Sequence, residues 1–108
     1  MINANNLPSP FNDNKTKEAL TDICQKNDIK LLAVFGSFAR GQQTAKSDID
    51  LAIEFTKKSK KSLFDLVHLE FEFKKIFKRR IDLGTLKSIN PHIIDQVKKD
   101  LKIIYAQR

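Results

Sequence analysis

The sequence predicts a small α+β domain in which a short-stranded sheet is flanked by helices. Three observations carry that expectation. Apolar runs at 31–35 and 51–53 and an alternating stretch at 80–85 read as strands, separated by stretches with helical spacing. The first run ends in Gly36-Ser37, and the second opens from Asp48-Ile49-Asp50. The 108 residues, 41% hydrophobic and 31% charged, suffice for one modest core and one domain.

Residues 1–14 hold five Asn and two Pro with little apolar content, so they read as a flexible tail and leave 15–108 as the domain. A helix follows over about 15–26, with Ala19, Leu20, Ile23 and Cys24 at helical spacing and Asn27-Asp28 ending it. Strand one covers 29–35. A short helix over 38–41 packs behind the glycine turn, 42–47 is polar and irregular, and strand two covers 48–55. After the basic turn TKKSKK, Ser62 is placed as an N-cap with Asp65 closing a capping box. The helix it starts reaches about Lys78. Leu63, Leu66, Val67, Glu70, Phe71, Lys74 and Phe77 follow the i, i+3, i+4 pattern, and Phe64, Leu69, Phe73 and Ile76 widen it. That surface is greasier than one sheet contact requires: it is either a well-buried core helix or a helix with apolar surface left for a partner. RIDLGT, 80–85, alternates as strand three, with Asp82 and Gly84 on one face. Asn90-Pro91 opens a helix over 91–99, and 101–106 forms a last strand with Tyr105 in the core.

The chemistry concentrates between 31 and 55. Residues i and i+2 of a strand share a face, so Asp48 and Asp50 project together while Ile49 and Leu51 turn to the core. Carboxylates about 4 Å apart repel by about 4 kcal/mol at an effective dielectric of about 20. A hard divalent cation is the commonest reason to hold them so, and Mg²⁺ takes one or two carboxylates plus substrate phosphates. Gly36 allows close approach of a ligand to the backbone, and the Ser37 hydroxyl can hold phosphate oxygens beside a helix start. Taken singly, Gly-Ser is often a plain turn and Asp-x-Asp a solvated face; their order and flanking strands make the pair informative. Arg40 can reach a triphosphate or fix the 36–41 turn through its carbonyls. Ser47, grouped with Gly36, Ser37 and Arg40 as nucleotide-binding, orients Asp48 more readily than it touches substrate. His68 and His92 lack partners at metal-ligand spacing.

Gly36-Ser37, ten residues, then Asp48-x-Asp50, in the fuller string GSFARG…SDIDLAI, resembles the nucleotidyltransferase superfamily with the DNA polymerase β type of fold. Within it the string is similar to the minimal nucleotidyltransferases (MNT), the antitoxins encoded beside HEPN toxins. The resemblance spans about 30–105. It implies a mixed sheet of the polymerase β palm type. It also implies a third strand carboxylate that serves as base and helps bind a second Mg²⁺, a role that falls on Asp82 in its R-x-D-L context. Asp48, Asp50 and Asp82 are then the metal-binding and catalytic set. The implied activity is transfer of AMP from ATP to a tyrosine hydroxyl of a cognate HEPN RNase toxin, with which the chain forms a hetero-oligomer. Phe38 stands where a basic or polar residue is common, and Gly84 loosens strand three; these are the departures from the family pattern.

Two other readings compete. A non-catalytic antitoxin would neutralise its toxin by binding alone, and a stand-alone transferase would modify a small molecule of the aminoglycoside type. The intact Ser37, Asp48, Asp50 and Asp82 set argues against the first, and the lack of a second, acceptor-binding domain against the second. Charge adds a surface. Residues 1–55 carry six basic and seven acidic side chains, net −1, whereas 56–108 carry fourteen basic and six acidic, net +8. No aromatic residues interleave the lysines as a nucleic-acid platform requires, so direct nucleic-acid binding is not expected. The N-terminal MINANNLPSPF lacks signal-peptide character, no span is membrane-length, and the single Cys24 fits a reducing cytoplasm as a helix-core residue.

Overall fold

A computed structural model describes residues 10–88, 91, 92 and 94–107. Its elements are helix α1 (Asn14–Lys26), strand β1 (Ile29–Phe35), helix α2 (Gly36–Arg40), strand β2 (Ile49–Phe55), helix α3 (Leu63–Phe77), strand β3 (Ile81–Thr85), a 3-10 turn at Leu86–Ser88, helix α4 (Ile94–Asp100) and strand β4 (Lys102–Ala106). The four strands lie in the order β3-β2-β1-β4. β1 runs antiparallel to β2 and β4, and β2 runs parallel to β3, so the sheet is mixed as the resemblance implied.

Period-2 alternation decides which face is covered. Leu32, Val34, Ile49, Leu51, Ile53, Ile81 and Leu83 point to one side and are buried with Leu20 and Cys24 of α1 and Leu69 and Phe73 of α3. Burial pushes the Cys24 thiol up to about 12, so it is a core residue and no nucleophile. Asp50 and Asp82 alternate to the opposite face.

Local chemistry starts α1 and α3, whereas α4 departs from the expected 91–99. The Asp13 carboxylate accepts the Thr16 amide hydrogen and caps α1. The Ser62 amide and hydroxyl both donate to the Asp65 carboxylate, which holds its pKa below the usual range. Pro91 and His92 form a turn, and α4 begins after it at Ile94; Asn90 and Ile93 lie outside the described residues.

Two expectations need correction. The tail was expected to run to residue 14, and residues 1–9 lie outside the described residues. Phe11, however, is fully buried, its ring 5.0 Å from Phe77 and edge-on to Phe38 at 6.4 Å. An isolated Phe among Asn and Pro gives no periodic signal; its partners come from α2 and the end of α3. The second concerns α3. Its core arc is Leu66, Leu69, Phe73, Ile76 and Phe77, whereas Leu63, Phe64, Val67 and Phe71 are exposed at 74%, 86%, 44% and 60%. At 100° per residue the apolar positions fill two adjacent arcs, each roughly 100° wide. The sheet and α1 cover one of them.

Phe11→Ala is expected to destabilise the domain by about 3–5 kcal/mol, the range for a fully buried Phe. Chemical denaturation would show a lowered midpoint with an unchanged slope; a change below about 0.5 kcal/mol would return residues 10–13 to the tail.

Candidate active site

The site is assembled where β1 ends, β2 begins and β3 begins. Antiparallel pairing sets Phe35, the residue before Gly36, opposite Asp50. Parallel pairing sets Asp50 opposite Asp82. Asp48 precedes the first residue of β2. Of the three, Asp50 is half-buried while Asp48 and Asp82 are exposed.

Gly36 is fixed by geometry. Its φ is +71°, a region costing other residues about 1–2 kcal/mol. A Cβ added there would collide with Oδ2 of Asp50 and lie 3.1 Å from its Cγ. The glycine thus lets the Asp50 carboxylate lie against the strand-to-helix turn. Burial, then Asp82, then Asp48 raise the Asp50 pKa above its ordinary value, with Arg40 pulling weakly the other way. Asp50 therefore senses both neighbouring carboxylates as like charges.

The remaining expected residues separate. Ser37 is half-buried in the first turn of α2, and its carbonyl accepts the Gln42 amide hydrogen at 2.9 Å. Arg40 donates from Nη1 to Asp100 at 3.1 Å and from Nε to Gln42 at 3.2 Å, so it ties α2 to α4. Of the two roles read from sequence, fixing the turn is the one its bonds serve. The Ser47 hydroxyl accepts the Thr44 amide hydrogen at 2.8 Å and shapes the turn before Asp48. Phe38 is buried under the guanidinium of Arg79, whose carbon lies 5.2 Å from the ring centroid. Nη1 of Arg79 also donates to the carbonyls of Thr44, Ala45 and Ser47 at 3.3, 3.1 and 3.1 Å. Sequence reasoning missed Arg79: it singled out Arg80 in the R-x-D-L string, and an Arg-Arg pair does not say which guanidinium turns inward.

Among the described residues, no three His, Cys, Asp or Glu side chains close around a single point as a ready metal cage. The donor set still fits a hard cation that brings its own waters and phosphate ligands. It consists of carboxylate oxygens, and the central one is destabilised as an anion by its neighbours. Asp48, Asp50 and Asp82 are the residues that would hold Mg²⁺.

Residues 18–108 match the family model Polymerase beta, Nucleotidyltransferase. Two proteins of Methanocaldococcus jannaschii, MJ0435 and MJ1379, are named provisionally as protein adenylyltransferases. They are 37% and 40% identical to this chain, each over 81% of it and over 91% and 85% of their own lengths. Among solved structures, a toxin-antitoxin crystallised with AMP-PNP superposes with a TM-score of 0.70 at 21% identity, covering 85% of this chain and 74% of that one. A minimal nucleotidyltransferase superposes at 0.68 and 26% identity, covering 82% and 88%. A complex of a tri-AMPylated Shewanella oneidensis HEPN toxin with its MNT antitoxin superposes at 0.63 and 18% identity, covering 86% and 71%. The chain belongs to the polymerase β nucleotidyltransferase family. It is a nucleotidyltransferase with the minimal, MNT-type fold.

A raised carboxylate pKa stabilises the fold below the unfolded value of 3.8 and loses that contribution as pH rises through the folded value. Asp50→Asn should therefore raise the melting temperature of the ligand-free protein at pH 7. The gain should shrink toward pH 4. A gain that does not change with pH would show that crowding by charge is not its cause.

Proposed function

We propose that this enzyme is an antitoxin that transfers AMP from Mg²⁺-ATP to a tyrosine hydroxyl of a cognate HEPN toxin. The observation that carries the reading is the Asp50–Asp82 pair set side by side in β2 and β3, with Asp48 next to them and Gly36 against Asp50. Relatives named as protein adenylyltransferases, and a fold shared with antitoxins solved beside their toxins, support it.

In this reading the acceptor hydroxyl attacks the α-phosphorus of ATP. An O–P bond forms, the α–β anhydride bond breaks, and pyrophosphate leaves. Asp82, exposed on the same face as Asp50, takes the hydroxyl proton. Bound Mg²⁺ would offset charge on the phosphates and polarise them. Asp48 and Asp50 would hold the ion, Gly36 leaves room for the Asp50 carboxylate against the turn, and the Ser37 hydroxyl and neighbouring amides would receive phosphate oxygens. Arg40, bonded to Asp100, contributes mainly by fixing α2.

The uncovered arc of α3 supports a protein acceptor. Leu63, Phe64, Val67 and Phe71 form an apolar stripe, and a groove there is lined by Val67, Glu70, Phe71 and Lys74. Lys60 and Lys61 stand before the stripe, and Lys74, Lys75 and Lys78 after it. A second copy would set cations against cations in either orientation. An acidic, amphipathic helix on the toxin is the complementary occupant.

Three expected outcomes follow. Mg²⁺ with ATP should raise the melting temperature of the wild type, and Asp48→Asn with Asp50→Asn should abolish that gain. Asp82→Asn should leave folding and toxin binding intact while AMP transfer falls by a factor of about 10² or more, the scale of a lost general base. The second is read as intact mass of the toxin after incubation with ATP and Mg²⁺. If Asp82→Asn still protects cells while the toxin's mass stays unmodified, neutralisation is by binding and the catalytic reading is wrong. For the docking face, Phe64→Glu with Phe71→Glu should abolish capture of the toxin without lowering the Mg²⁺-ATP thermal shift; capture that persists would move the interface elsewhere.

A further inference from the structure

The connection between α3 and β3 does more than join them. Ser47 and Ile49, the two neighbours of Asp48 in the chain, are each bonded to it. The Ser47 carbonyl accepts from Nη1 of Arg79 at 3.1 Å, and the Ile49 amide donates to the Arg80 carbonyl at 3.0 Å. Asp48 is thus held by its backbone on both sides while its own carboxylate remains exposed. Two residues beyond Arg80, Asp82 pairs with Asp50. One four-residue segment, 79–82, fixes the whole carboxylate set.

The turn itself cannot do this alone. The Ser47 amide donates to the Thr44 carbonyl at 3.1 Å, and the Ser47 hydroxyl takes the Thr44 amide hydrogen. These bonds close residues 44–47 on themselves but do not anchor the turn to the sheet. Arg79 supplies the anchor. Nη1 carries two N–H bonds and meets three carbonyls, so at least one hydrogen is shared among them. The guanidinium plane is steadied on the Phe38 ring, which in turn meets the edge of Phe11. Lysine could supply the charge but not a planar fork that stacks and donates together.

We infer that Arg79 is a positioning residue for Asp48, setting where that carboxylate meets the metal without touching metal or nucleotide. Phe38 is its seat, which gives the departure from the family pattern a use. The inference rests on Asp48 being a metal ligand.

The experiment compares wild type, Arg79→Ala and Arg79→Lys in two readouts. The first is amide hydrogen exchange over residues 44–49 in the protein without ligands. The second is the Mg²⁺ concentration at half-maximal thermal shift with ATP held saturating. In Arg79→Ala the exchange in 44–49 should rise while that of β1 stays as in wild type. The Mg²⁺ midpoint should rise by about 10- to 100-fold, the scale for loss of a group that orients a metal ligand. Added guanidinium ion, below denaturing levels, should restore part of the Mg²⁺ response in Arg79→Ala and do nothing for wild type; Arg79→Lys should remain defective. Unchanged exchange in 44–49 would overturn the clamp. Raised exchange with an unchanged Mg²⁺ midpoint, or full function in Arg79→Lys, would overturn the positioning role. Failure of the metal reading is distinguishable, because wild type and Asp48→Asn would then respond to Mg²⁺ alike.

Discussion

The constraint on which this structure depends is the crowding of three carboxylates at one end of a small sheet. Asp50 is half-buried, and its pKa is raised first by burial and then by Asp82 and Asp48. A free chain would let such groups drift apart. The parallel pairing of β2 with β3 prevents it, because the Asp50–Asp82 register is fixed by a ladder whose other side is core: Ile49, Leu51 and Ile53 against Ile81 and Leu83. A slip of one residue would send every one of those apolar side chains to the wrong face. Burial of the Ile and Leu residues thus supplies the free energy that holds the aspartates together. The φ of +71° at Gly36 belongs to the same constraint, since the turn passes close to Asp50 and leaves no room for a Cβ.

What could be read from the sequence was what depends on near neighbours. The alternation of Ile49-Asp50-Leu51 and of RIDLGT follows from a period of two. Strand β1 has its expected bounds, and the Ser62–Asp65 capping box is a three-residue relation. What could not be read was set by residues far apart in the chain. Phe11 is 66 residues from Phe77, and nothing local distinguishes it from a tail residue. Both arcs of α3 are apolar, and only the position of the sheet and α1 selects Leu69 and Phe73 over Phe64 and Phe71. Arg79 reaches residues 32–35 positions earlier, a relation with no sequence period.

The candidate site also shows that a residue type does not fix a role. Arg40 lies in a string where a guanidinium suits a triphosphate, yet its short bonds go to Asp100 and Gln42. That leaves it a weak electrostatic neighbour of Asp50 and a firm brace between α2 and α4. Phe38 lies in the same string, where a phosphate contact is common, and faces the other way, into the core and under Arg79. Gly36, the first residue of α2, lies against Asp50, and the buried Phe38 seats the arginine that anchors the turn before Asp48. The two jobs fit in five residues because successive helical side chains diverge by about 100°.

The same division explains how one short domain can combine a rigid site with an uncovered helix arc. Stability is drawn from the arc of α3 that meets the sheet, where Leu69 and Phe73 are buried against the strands carrying Asp50 and Asp82. The second arc, with Phe64 86% and Leu63 74% exposed, contributes little to that core. Apolar side chains left in water on the arc opposite a filled core favour association over folding. The helix that supports the carboxylates therefore also presents the surface best suited to a partner. Its C-terminal end leads directly through Lys78 into Arg79 and Arg80, which bond the two neighbours of Asp48. The Lys78–Arg80 connection thus joins the C-terminal end of α3 to the backbone on both sides of Asp48.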